Sequence, residues 1–175
     1  VPAPSEALKA TAPPATPSTG FDKGPRAVVE TDVLRATIDA NGGDLRELKL
    51  LQYRETEDKN QVFTLFEDSQ TQPYLAQSGL VGKGLPTHRS MFKLNPGTYR
   101  LTSGAAQLEV PLVLDDPVTG VRVEKTYIFK RGSYQITVRT RVINDGTQPM
   151  DLSPYYQCTR HGEAPRGESF FLYTY

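Results

Sequence analysis

One cysteine, Cys158, cannot close a bond within the chain, so a small fold stapled by disulfides is excluded. Charge of either sign is not in excess: 20 Lys and Arg stand against 20 Asp and Glu. That balance removes the electrostatic case for nucleic acid as a partner, or for a membrane surface met by the chain as a whole. Apolar runs stop after a few residues, so no segment has the length of a membrane-crossing helix. Tryptophan is absent, which takes away the usual platform for stacking sugars, although nine Tyr and seven Phe remain. The chain opens at Val1 with neither an initiator Met nor a signal-peptide pattern, and is expected to be a fragment or a processed product.

What is present divides in two. Apolar residues make up 37% of the chain, and residues 1–25 account for much of the deficit. Six of the 14 prolines fall there among Ala, Ser, Thr and Gly. Proline removes backbone donors and favours extended chain, and such a composition cannot bury enough apolar surface to offset its ordering entropy. Residues 1–25 are expected to be a disordered Pro/Ala-rich linker, and residues 26–175 a single domain.

Within the domain the hydrophobic period is two. Leu34, Ala36, Ile38 and Ala40 alternate with Arg35, Thr37 and Asp39, which predicts a half-buried strand. Asn41-Gly42-Gly43 supplies a tight turn, and Asp44 to Tyr53 reads as a second strand. Val62 to Phe66 is apolar on both faces, as a central strand would be. Residues 79–97, rich in Gly, Pro, Lys and Asn, read as a long surface loop. Tyr99 and Leu101 begin another strand. Leu108, Val110, Leu112 and Leu114 mark the next, which ends at Asp115-Asp116-Pro117. The clearest element is a hairpin from Val121 to Ile143. Val123, Tyr127 and Phe129 lie on one face, the turn is Lys130-Arg131-Gly132-Ser133, and Tyr134, Ile136, Val138 and Val142 return. Met150 with Leu152, and Phe170 to Tyr175, suggest two more strands, the last running off the chain end. About ten short strands with little helix predict an all-β antiparallel β-sandwich, incomplete at its C-terminus.

Several stretches resemble one family in order and spacing. Val29-Glu30-Thr31-Asp32-Val33-Leu34 and Ile38-Asp39-Ala40-Asn41-Gly42-Gly43-Asp44 are similar to the first strands of the periplasmic domain of YidC-type insertases. So are Tyr74-Leu75-Ala76-Gln77-Ser78-Gly79-Leu80-Val81-Gly82 and Lys125-Thr126-Tyr127-Ile128-Phe129-Lys130-Arg131-Gly132-Ser133-Tyr134, with Val142-Ile143-Asn144-Asp145-Gly146 after them. The resemblance covers residues 27–153, and the Pro/Ala-rich segment resembles the linker that follows the family's first membrane helix. It implies a β-supersandwich related to galactose mutarotase, on the periplasmic side of a Gram-negative inner membrane. In the family, insertion is done by membrane helices, none of which is present here, so no insertase residue is carried over.

The related sugar epimerases make a catalytic reading worth testing. Such an enzyme needs a carboxylate base and a His acid facing one another across the sugar. His88 stands in a Gly/Pro-rich loop and His161, beside Glu163, in a polar stretch; both read as surface histidines. Cys158 with His161 offers two metal ligands where zinc needs three or four. Gly79 to Gly84 lacks the Gly-Lys-Ser/Thr of a phosphate loop. Neither a cofactor nor a metal is expected. Lys125 is anomalous, because strict alternation places it beside inward Val123 and Tyr127. Burying an unpaired ammonium is costly, so snorkelling, an acid partner or a bulge would be needed.

Two functions compete. One is a non-catalytic accessory domain of an insertase that docks or spaces partners. The resemblance implies Sec translocation components such as SecDF, with nascent inner-membrane proteins handled by the absent membrane helices. Lys130, Arg131, Arg139 and Arg141 are its candidate partner surface; the alternative for them is a solvated outer face. The other is a carbohydrate-binding or sugar-active module, for which Tyr155 and Tyr156 are candidate cleft aromatics.

Overall fold

The structure, a computed structural model, describes residues 23–69 and 73–160. Ten strands follow one another, and no helix interrupts them among the described residues: β1 (Arg26–Glu30), β2 (Leu34–Asp39), β3 (Asp44–Arg54), β4 (Val62–Phe66), β5 (Tyr74–Val81), β6 (Gly97–Arg100), β7 (Gln107–Asp116), β8 (Val121–Lys130), β9 (Ile136–Asn144) and β10 (Ser153–Arg160). They form two sheets. The larger runs β10-β5-β3-β2-β1-β6, with β4 also paired to β3, and the smaller runs β7-β8-β9. Pairing is antiparallel throughout except between β1 and β6.

The alternation read in the sequence decides which face meets which. Val29, Leu34, Ala36, Ile38 and Leu48 of the large sheet pack in one core with Val110, Leu112, Val121, Val123, Tyr127 and Phe129 of the small one. β8 is the middle strand of its sheet and sends five buried side chains inward, Val121 to Phe129 at every second position. Pro111 sits in β7, whose only strand neighbour among the described residues is β8 and whose other edge is bridged at Val113 to Lys93, so its missing N–H falls on the side with no continuous ladder.

Some expectations are corrected. β4 is not central: it pairs with β3 alone among the described residues, and Leu65 is 39% exposed. An apolar run of five is too short to separate a buried strand from one half-covered by its own connections. Residues 79–97 are not simply a surface loop. Gly79 to Val81 complete β5, and Leu85, Phe92 and Leu94 are buried in the core. Their turn-forming neighbours hide the pattern. The returning hairpin strand starts at Ile136 rather than Tyr134, and the strand expected at Met150 and Leu152 begins at Ser153. Phe170 to Tyr175 lie outside the described residues.

Candidate functional site

Lys125 is 2% exposed and lies among the inward residues of β8. The ladders on both sides run through it without a register shift, opposite Leu112 and Thr140, so there is no bulge. Nor does it snorkel. Its Nζ donates to Gly42 O at 2.7 Å, reaches Gly43 O and Ser78 O at 3.4 Å, and stands 5.0 Å from the centre of the Phe92 ring. Tyr127, two residues on, donates its hydroxyl to Gly43 O at 2.7 Å. The small sheet thus grips the β2–β3 turn of the large one through two side chains that satisfy turn carbonyls. Gly43 permits this: its φ is +59°, and a Cβ there would stand 3.2 Å from Lys125 Cδ. Burial pushes the Lys125 ammonium down to about 8, against the pull of the Asp44 carboxylate.

A polar chain crosses the large sheet. Arg26 donates Nε to Asp39 at 2.8 Å, opposite it in the β1–β2 register, and its other arm pairs with Asp68 in the β4–β5 connection. Asp68 lies 3.8 Å from Arg46, which lies 3.8 Å from Asp44. Arg46 is the residue left over where the β2–β3 register shifts, and it is buried whole. Gln77 of β5 donates to Asp44 Oδ2 at 2.8 Å, while its own carbonyl accepts from Gln157 at 3.0 Å and Thr159 at 2.7 Å on β10. Burial raises the Asp44 carboxyl to about 6, opposed by the Gln77 hydrogen bond and by Lys125 and Arg46.

At the β10 end, Tyr155 OH accepts the His88 N–H at 3.0 Å and lies 2.7 Å from His88 Nδ1. Ring and hydroxyl thus share one hydrogen bond, with Nδ1 accepting in one tautomer and donating in the other. Tyr155 lies over Gly79, its partner in the β5–β10 register, where a Cβ would stand 2.6 Å from Tyr155 Cζ. Burial, with Arg89 and Arg46 nearby, lowers the His88 ring below its ordinary value. His88 is therefore held by β10 rather than free on the surface. His161 and Glu163 lie outside the described residues. Cys158 and Tyr156 are exposed on β10, Tyr156 to 67%. No group of three or more His, Cys, Asp or Glu able to hold a metal occurs among the described residues.

Lys130, Arg131, Arg139 and Arg141 are all exposed. Arg131 differs from the rest. Its guanidinium donates to Thr102 O at 2.7 Å and Ala105 O at 3.0 Å, bracing the β6–β7 connection. Arg141 lies 3.7 Å from Glu124 across the ladder, and Arg139 stands opposite Thr126 on β8. Sequence reasoning singled out these surface cations and Lys125, but missed Asp39, Asp44, Arg46 and Gln77. Asp39 looked like the solvent side of an alternating strand. Only its position two residues before Asn41, whose N–H it accepts at 2.9 Å, hinted otherwise.

The fold and these clusters define an all-β sandwich module whose ionisable side chains are largely engaged with its own backbone and with each other. The YidC periplasmic domain family matches residues 26–175. The membrane protein insertase YidC of Thiobacillus denitrificans is 77% identical over 175 residues, covering 99% of this chain and 32% of its own length. That of Dechloromonas aromatica is 43% identical over 176 residues, again 99% and 32%, and that of Nitrosospira multiformis 40% over 155 residues, 89% and 27%. The chain belongs to the YidC periplasmic domain family, and it spans about a third or less of the length of these relatives. They bear an insertase's name, not that of a sugar-active protein.

Proposed function

We propose that this chain is the periplasmic β-sandwich of an inner-membrane insertase, a non-catalytic module that docks or spaces partners while membrane helices elsewhere in the parent carry out insertion. The carrying observation is the family match across all ten strands, joined to relatives named as insertases. The engagement of His88, Asp44 and Lys125 by the protein's own groups supports a structural use for them rather than a chemical one. Residues 1–25 act as the tether. Sec translocation components such as SecDF are the proposed partners, and nascent inner-membrane proteins the proposed clients of the parent.

The docking face is proposed on β9 and its preceding turn, at Lys130, Arg139 and Arg141, with Arg131 as a brace behind it. Photoreactive residues placed in turn at Arg139, Arg141 and Lys83 of the full-length parent test this in envelope membranes. Adducts with Sec components from the β9 positions and not from Lys83 are expected; adducts from Lys83 alone would move the face. Deleting the domain from the full-length parent should leave insertion in place. Loss of all insertion at normal expression would overturn the accessory role.

A further inference from the structure

β10 is an edge strand of the large sheet among the described residues, yet it brings almost nothing to the core. Six of its eight residues are exposed, only Tyr155 and Thr159 are half-covered, and none belongs to the hydrophobic cluster. Besides the ladder to β5, it is held by two side-chain ties. One is Gln157 and Thr159 on Gln77; the other is Tyr155 on His88.

We propose that the hold of β5 on β10 is pH-gated, loosening when His88 takes a proton at Nδ1. The gate operates in the tautomer in which the Tyr155 hydroxyl, already accepting the His88 backbone N–H, gives its own proton to Nδ1. Protonation turns Nδ1 into a second donor, strands the hydroxyl proton and sets a cation beside others. The groups facing the ring are Arg89 on the same loop, Arg46 on β3 and Tyr155 on β10. The one acid acting on this pair, Asp44 on β3, acts on Tyr155 and is itself bound to Gln77. The loop cannot follow a departing β10. It is fixed by Gly42 N–H to Ser90 O at 2.8 Å, Phe92 N–H to Ala40 O at 2.8 Å, and the burial of Leu85 and Phe92. The second tie does not respond in the same way. Asp44 Oδ1 has no hydrogen-bond partner among the described residues and can take a proton while Oδ2 still accepts from Gln77. Release therefore falls on β10, and specifically on its Tyr155 end.

Amide hydrogen exchange of the full chain between pH 5 and 8, corrected for intrinsic rates, tests the gate. Protection of β10 relative to β8 is expected to fall about fivefold to tenfold from pH 8 to pH 5, the size of one lost hydrogen bond. Tyr155→Phe should give the low value at every pH. His88→Asn, whose side-chain oxygen accepts but does not titrate, should give the high value at every pH. β10 protection that tracks β8 throughout, or a His88→Asn chain that keeps the wild-type fall, would overturn the proposal. Ring titration by NMR adds a readout independent of fold stability. His88 should titrate below its ordinary value, and Tyr155→Phe should return it towards that value; no movement would count against the gate.

Discussion

A lysine inside a β-sandwich shows how far a local rule can be trusted. The period of two placed Lys125 on the inward face correctly, but what receives the ammonium, two carbonyls of the β2–β3 turn and one of β5, lies 47 to 83 residues away in the chain. Asp44 and Arg46 were illegible for the same reason: their partners are set by sheet order, not by neighbours in sequence. Lys125 titrates near 8 in the folded chain and 10.5 when unfolded, so between these values the unfolded chain binds the extra proton and stability rises with pH. The rise should total about 3 kcal/mol and vanish in Lys125→Met, as followed by chemical denaturation from pH 7.5 to 10.5. Asp44 has the opposite sign. Its folded value of about 6 exceeds the unfolded 3.8, so the folded chain holds the proton longer and stability falls as pH rises through that window. Asp44→Asn should remove the fall. Tyr127→Phe takes a donor from Gly43 O and should cost about 1–2 kcal/mol at neutral pH, measured by urea unfolding.

Elements were legible where both faces of a strand have distinct surroundings. The β8–β9 hairpin and β2 follow from alternation because each turns one apolar face to the core, although β2 is more than half-buried, with Thr37 and Asp39 covered on its other face. β5 was carried by resemblance and not by pattern, since Gln77 and Ser78 are buried polar residues that break the alternation. Gly79 was read as part of a loop; its real use is as a seat for the Tyr155 ring. Gly79→Ala should therefore displace that ring and lower β10 protection in hydrogen exchange, while leaving β8 unchanged. The basic residues should separate by role. Arg131→Ala should loosen the β6–β7 connection, seen as faster exchange at residues 101–106. Arg139→Ala and Arg141→Ala should each change stability by no more than about 0.5 kcal/mol.

At the scale of the molecule, the class of fold was legible and the pairing was not. Strand count and period give a sandwich, but no local signal says that β1 lies between β2 and β6, or that β6 runs parallel to it. Because one core is shared by both sheets and clamped by Lys125 and Tyr127, unfolding should be a single event. Far-UV circular dichroism and tyrosine fluorescence should give coincident transitions, the chain having no tryptophan to report instead. The interior place of β1 has a mechanical consequence. A pull on β1 along its own axis would shear the antiparallel bonds to β2 and the parallel bonds to β6 together rather than peel them one by one. The Arg26 pairs with Asp39 and Asp68 sit at the point where the load enters. Tension along β1 is spread over two ladders at once, as in a riveted lap joint, so this strand should be among the hardest to extract by force.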